Sequence, residues 1–352
     1  MTVYFCFIPN LVLIMKFFKS LFLSLFLSSS ILFAHEGPWT ASRPDGHAPI
    51  SVMGDHMHSM GEWMFSYQYM TMDMKGLLKD SNNVTVDSQT GTMMMPGDYM
   101  MVPTEMTMDM HMFGAMHAIS DQWTLMCMLN YLDNEMTMIN RMDVTSKMET
   151  SGISDLKLAG LYDLARWEDG RRAHLSLGLS APTGSIDEKS GGNFVGYGMQ
   201  LGSGTWDFHP AITYLGQTEN YSYGAQLGGI LRIGDNDQGY TLGNRVEATL
   251  WGARKITDSL SASIKIDHTC EEEVDGEHNG LKLRKGMSPS NHPDHQGRDL
   301  TSIGLGLNYY FQSGALQGHR IAAEWETPLD QEVNGVQLEL DSTWTVGWQY
   351  AW

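Results

Sequence analysis

With 352 residues and a formal net charge of −19, the chain is acidic and long enough for one large domain or two ordinary ones. The charge excludes nucleic acid as a natural partner, because that binding rests on Lys and Arg neutralising phosphates. Methionine is the compositional outlier: 23 of the 27 lie between Met53 and Met148.

Met15-Lys16-Phe17-Phe18-Lys19 is a basic start, Leu21 to Phe33 an apolar core with serines, and Ala34 a small residue at a cleavage point. Residues 1–34 therefore read as a secretory signal, with Met1 to Ile14 an upstream extension. The rival reading, an N-terminal membrane anchor, suffers from the short apolar run between Lys19 and His35. Loss of Lys16 and Lys19 takes the net charge from −19 to −21. No later run approaches ~18 consecutive apolar residues, so no transmembrane helix is expected after the signal. Cys127 and Cys270, far apart in the chain, are no disulfide framework.

Residues 35–61 hold three prolines, several glycines and no sustained periodicity, which predicts an irregular periplasmic segment outside the strands. His47, Asp55, His56, Met57 and His58 fall within it. The spacing His56-x-His58 suits one face of an extended segment, and imidazole suits copper, zinc or nickel. No fixed ligand spacing of the HExxH or CxxC kind is present, so an ordinary polar segment fits equally well.

From residue 62 onward the chain alternates in runs of about ten residues, the spacing of membrane-spanning strands. About twelve strands are expected, near 62–74, 104–119, 122–133, 152–165, 172–182, 199–214, 219–232, 240–254, 259–270, 300–311, 319–327 and 337–352. Leu338, Leu340, Trp344, Val346, Trp348, Tyr350 and Trp352 share one parity of the last run, opposite Glu339, Asp341, Thr343 and Thr345. A polar parity opposite an apolar, aromatic-ended one means water on one face and something apolar on the other. Short connections alternate with longer ones. The fold class expected is all-β: a transmembrane antiparallel barrel over 62–352 with short periplasmic turns and longer outer loops. A large soluble all-β sandwich is the alternative, and no blade-length repeat supports a propeller.

The first three strands carry the methionines at period two. Met64, Met70, Met72 and Met74 oppose Trp63, Phe65, Tyr67 and Tyr69, so they are expected in the lumen. Met126 and Met128 oppose Trp123, Leu125 and Leu129, with the same result. Met106, Met108, Met110 and Met112 would face lipid by hydropathy alone; their neighbours and Phe113 on the opposite parity argue for the lumen. Adjacent strands lie about 4.8 Å apart, so sulfurs from neighbouring strands could converge on one soft ion such as Cu(I) or Ag(I). Equally, flexible thioethers are good filler for a barrel interior. Asp155, Lys157, Asp207, His209, Arg245, Glu247, Asp267, Glu324, Glu339 and Asp341 fall on the polar parities and are predicted to line the lumen, where mixed charges pair across strands. His278, His292, Asp294 and His295 sit in the long loop 271–299 and read as a solvated acidic loop or as further ligands.

The run Gly152-Ile153-Ser154-Asp155-Leu156-Lys157-Leu158-Ala159-Gly160-Leu161-Tyr162, followed by Leu175-Ser176-Leu177-Gly178-Leu179-Ser180-Ala181-Pro182-Thr183-Gly184, resembles outer-membrane transporters of the phenol-degradation meta-pathway family. The likeness spans roughly the central third of the chain, and the methionine-rich first third looks like a subgroup. It implies a barrel passing small molecules, with no particular solute.

The expected function is an outer-membrane channel or transporter for small solutes, with copper or silver handled by a Met/His wall. A passive pore for hydrophobic or aromatic molecules with methionine filler is the alternative, and a structural outer-membrane protein a further one. The expected partners are outer-membrane lipid and a small-molecule or metal-ion solute, and copper is the candidate cofactor. Enzyme chemistry is not expected: His174 and Ser176 share a parity, but nothing marks a nucleophile with an oriented base.

Overall fold

The period-two runs form strands, and each ring strand pairs with the ring strands before and after it in the chain, except at the seam where the last meets the first. The structure is a computed structural model that describes residues 39–352. The signal reading over 1–34 lies outside the described residues. The elements are β1 Trp63–Asp80, β2 Asn82–Val84, a short helix α1 Val86–Thr90, β3 Met101–Ser120, β4 Trp123–Asn140, β5 Thr145–Ile153, β6 Leu156–Arg166 and β7 Arg172–Ala181. There follow β8 Lys189–Ser190, β9 Asn193–Phe194, β10 Trp206–Gln217, β11 Tyr221–Ile233, β12 Tyr240–Thr241, β13 Arg245–Lys255, β14 Leu260–Glu271, β15 Asp275–Gly276, β16 Arg298–Tyr310 and β17 His319–Ala351.

The large strands form one meander, β1-β3-β4-β6-β7-β10-β11-β13-β14-β16-β17, closed by pairing of β17 with β1. All pairs in the ring are antiparallel. β17 supplies two staves. Arg320–Val333 pairs with β16, and Val333–Ala351 pairs with β1. The two ends of β17 meet, since Arg320 Nη1 donates to Gln349 Oε1 at 2.6 Å and the His319 and Tyr350 rings stack at 4.2 Å. The ring therefore has eleven strands by element and the expected twelve by stave. Closure leaves no ring strand with an unpaired edge, which a bilayer requires. β5 continues the stave of β6 on the outer part of β4.

Outward side chains form the lipid face: Phe65, Phe113, Leu129, Leu158, Leu179, Leu227, Ile264, Leu307 and Val346 are all exposed. Trp63, Trp123, Tyr221, Tyr309 and Trp352, exposed near the short turns, supply the aromatic girdle. Such a belt and a closed barrel place the protein in the bacterial outer membrane.

Several boundaries differ from the sequence reading. β1 runs to Asp80 and β4 to Asn140, several residues beyond their expected ends, and the outward Asp73 and Asp133 are exposed just before these extensions. The sixth stave begins at Trp206 rather than 199, because 199–205 belongs to an outer loop. The runs 319–327 and 337–352 are one continuous element turning at Gly335, whose φ of 64° glycine adopts without strain.

Candidate functional site: a plugged, methionine-walled lumen

Residues 39–61 form no strand, and they do not hang outside the barrel. They cross its lumen at the short-turn, periplasmic end and bond to staves all around the ring. Thr40 N donates to Gln217 Oε1 at 3.1 Å, Ser261 Oγ to Pro44 O at 2.7 Å, and Arg320 Nη2 to Ala48 O at 2.8 Å. Lys265 Nζ donates to Ser51 Oγ at 2.7 Å, Gln226 Nε2 to Met53 O at 3.1 Å, and His58 N to Thr124 Oγ1 at 3.2 Å. The His174 ring lies 2.8 Å from Gly54 O through Nε2. An irregular segment has unpaired backbone groups, and the polar lumenal parities supply their partners. Trp39 and Ala48 add an apolar seat against Leu215 and Trp251. Gly224 makes room there: a Cβ on it would lie 2.2 Å from the Trp251 ring.

The plug brings four of its predicted ligand residues together. His47, Asp55 and His56 are buried, with potential ligand atoms all within 4.8 Å of one another. The His47 and His56 rings meet edge-on at 4.3 Å, and His56 and His58 at 4.8 Å. Asp55 Oδ1 is 2.7 Å from His56 Nδ1, and Asp55 Oδ2 accepts from Ala48 N at 2.8 Å. Burial pushes His47 well below the ordinary histidine range, with the Arg320 charge adding to the effect. Burial also lowers His58, against the pull of Glu62. Burial alone would raise the Asp55 carboxyl, but His56, through charge and hydrogen bond, draws it down. Met57 instead packs, with Met53, against the barrel's methionines.

All three methionine series face the lumen, including the ambiguous one. The register aligns Met64 with Met116, Gln68 with Met112, Met70 with Met110, Met72 with Met108 and Met74 with Met106. On the next pair Met116 faces Met126 and Met106 faces Met136. Met64, Met116, Met126 and Met128 form a buried cluster with Leu161, on which the plug rests. Met106, Met136 and Met138 form a second with Val195 and Met199, and Met74 and Met108 pack at its edge. Val195 and Met199 come from the outer loop between β7 and β10, so that loop folds down onto the wall. Met70, Met72 and Met110 are half-buried and belong to neither cluster; Met112 is buried beside them. The wall is thus packing material at its two ends and an accessible thioether surface between.

Several of the inward charges form ion pairs. Lys265 contacts Glu326 at 2.6 Å, Glu324 at 3.0 Å and Asp267 at 3.3 Å. Arg232 pairs with Asp207, whose Oδ1 also accepts from Thr205 Oγ1 at 2.7 Å. Ser180 Oγ lies 2.9 Å from His209 Nε2, and Arg245 lies 3.4 Å from Glu247. Lys157 is half-buried. Asp155 stands just before β6 rather than on a stave. It accepts from Gly184 N and Ser203 N, both at 2.8 Å, and so ties down the two ends of the inward-folding loop.

Glu339 and Asp341 do not line the lumen. Asp73 pairs with Ser342 but Met74 with Leu340, so Asp341 is an extra residue in the ladder. Such a bulge reverses the pleat beyond it. Asp341 is exposed outside, and Glu339 reaches Asn83 at the exposed outer rim. Leu340, expected toward lipid, is buried, and Leu338 packs against the second methionine cluster. Of the loop histidines, His278 is buried against Tyr240 and Phe194, while His292 and His295 stack at 4.6 Å beside Asp294. Sequence reasoning missed Arg320, a lone cation on an otherwise acidic parity, and Ser51, which carries no periodic signal.

The family model described as "Putative MetA-pathway of phenol degradation" matches residues 108–340, well over half of the chain. An outer membrane channel from Pseudomonas putida F1 superposes with a TM-score of 0.62 at 15% identity, covering 86% of this chain and 99% of that one. A Pseudomonas aeruginosa FadL homologue gives 0.38 at 9% identity over 82% and 89%, and the beta domain of the Bordetella autotransporter BrkA 0.41 at 10% over 83% and 100%. No curated protein matches the sequence. A match of that extent, on a barrel with this closure and lipid face, makes the chain a member of that phenol-degradation family of outer-membrane barrels.

Proposed function

We propose that the protein is a non-enzymatic outer-membrane channel for small apolar solutes, closed in this conformation by the plug and the inward-folded loop. The carrying observation is the half-buried stretch of Met70, Met72 and Met110 between the two packed clusters. Flexible, polarisable thioethers make a surface that adapts to apolar molecules of varied shape. Family membership and the likeness in fold to the Pseudomonas putida outer membrane channel support this reading. Liposomes containing the folded barrel should take up a small aromatic solute faster than empty liposomes, with little ionic conductance in planar bilayers. Uptake equal to that of empty liposomes would sink the reading.

One observation favours a second reading, passage of soft metal ions. Met70 lies opposite Met110 and Met72 opposite Met108, which sets thioethers side by side on one accessible face. Replacing Met70, Met110 and Met128 by Leu keeps volume and apolarity, at under roughly 1.5 kcal/mol per swap. If thioether sulfur matters, the folded triple variant loses Ag(I) binding; if the methionines are only an apolar lining, silver binding and aromatic uptake match the parent.

A further inference from the structure

Three imidazoles in the plug each keep a buried ring nitrogen that no described residue hydrogen-bonds. Among the described residues, His47 Nδ1, His56 Nε2 and His58 Nε2 have no hydrogen-bond partner, and the three residues are only 7%, 1% and 5% exposed. The opposite nitrogens of two of them face carboxylates: His56 Nδ1 lies 2.7 Å from Asp55 Oδ1, and His58 Nδ1 lies 3.4 Å from Glu62 Oε1. A carboxylate on Nδ1 holds the proton there and turns the Nε2 lone pair outward, the usual arrangement behind a metal-bound histidine. It does so twice here, on rings whose centroids are 4.8 Å apart. The third ring, His47, comes from the other arm of the plug and meets His56 at 4.3 Å.

The bland explanation is three packed neutral rings. It leaves three buried ring nitrogens without a hydrogen bond among the described residues, which native interiors rarely tolerate. We propose that His47, Asp55 and His56, whose ligand atoms all lie within 4.8 Å of one another, bind one borderline divalent cation of the Zn(II) type, with the adjacent His58, oriented by Glu62, as a further donor. The Asp55 donor is Oδ2, which lies 3.9 Å from His47 Nδ1 and also accepts from Ala48 N at 2.8 Å, and His58 or a water completes a four-coordinate set. The donors are nitrogen and oxygen, so this site differs in kind from the thioether wall and stands whether the channel passes apolar solutes or soft ions. Its role follows from its place. The ion joins the arm at His47 to the arm at His56 and His58, and closes the plug into a clasped loop inside the barrel. Removing the ion should loosen the plug.

The test uses the full-length folded barrel in detergent, stripped with chelator and titrated with Zn(II), and separately with Co(II) to read the absorption of a four-coordinate site. The second histidine pair, His292 and His295, is the internal control. One tight equivalent should bind to the parent and to His295→Gln, and be lost in His56→Gln. Asp55→Asn should weaken it by at least roughly 10–100-fold, the effect of losing an orienting carboxylate alone. Chelation should raise the fluctuation of bilayer current in the parent and leave His56→Gln unchanged. No tight equivalent on the folded parent overturns the proposal, as does its persistence in His56→Gln or its loss in His295→Gln. Should His56→Gln fail to fold, parent, Asp55→Asn and His295→Gln decide by the same criteria.

Discussion

Arg320 Nη2 donates to the carbonyl of Ala48 at 2.8 Å, and through this bond one stave of the barrel holds the middle of the plug. The same guanidinium donates to Asn308 Oδ1 and Gln349 Oε1, both at 2.6 Å, so it joins the plug to two further staves. Replacing it with Leu strands these acceptors in a buried site, at about 1–3 kcal/mol for each one left unpaired. Arg320→Leu should therefore give a folded but more easily melted barrel, with a plug that protease reaches faster from the periplasmic side. Limited proteolysis and gel-shift melting check both; parent-like cleavage would show that the plug is held elsewhere.

Lys265 sits among Glu324, Glu326 and Asp267, and also donates to Ser51 of the plug. Its removal leaves carboxylates facing one another without a cation, and breaking a buried ion pair costs about 3–5 kcal/mol. Lys265→Met should lower the melting temperature at neutral pH. The loss should shrink as pH falls, because protonated carboxyls no longer repel. A deficit that stays constant or grows on acidification would contradict this account.

Met199 is 1% exposed and packs with Met106, Met136 and Met138, pinning the inward-folded loop. Met199→Ala removes most of that anchor, and such core truncations cost about 2–5 kcal/mol. The expected outcome is a loosened outer loop, with faster solute uptake in liposomes and earlier amide exchange over 183–205. Unchanged exchange in this loop would mean that the Asp155 bonds alone hold it.

The bulge at Asp341 makes a labelling prediction. Asp341 is exposed on the outer face, whereas Thr343, two residues on, is buried. In intact cells, a membrane-impermeant maleimide should label Asp341→Cys and leave Thr343→Cys nearly untouched. Labelling of Thr343→Cys and not Asp341→Cys would restore the unbulged register.

The sequence by itself determined the barrel, because strand faces are a local property. Period two sorts each run into two parities, and lipid on one side and water on the other make them visible as Leu307 against Asn308, or Trp344 against Thr343. For the same reason the methionines of β1 and β4 could be placed in the lumen from their opposing aromatics. The tertiary structure decided what parity does not encode. β3 alternates methionine with polar residues, so hydropathy pointed to lipid; pairing of Met70 with Met110 and of Met116 with Met126 turned its methionines inward. One extra residue at Asp341 moved Glu339 and Leu340 to opposite faces from those their spacing suggested, since a slip of one reverses the pleat. The plug carried no periodic signal at all. Its path through the lumen comes from backbone groups that need partners and from lumenal side chains, such as Arg320 and Gln226, that can supply them only once the ring has closed.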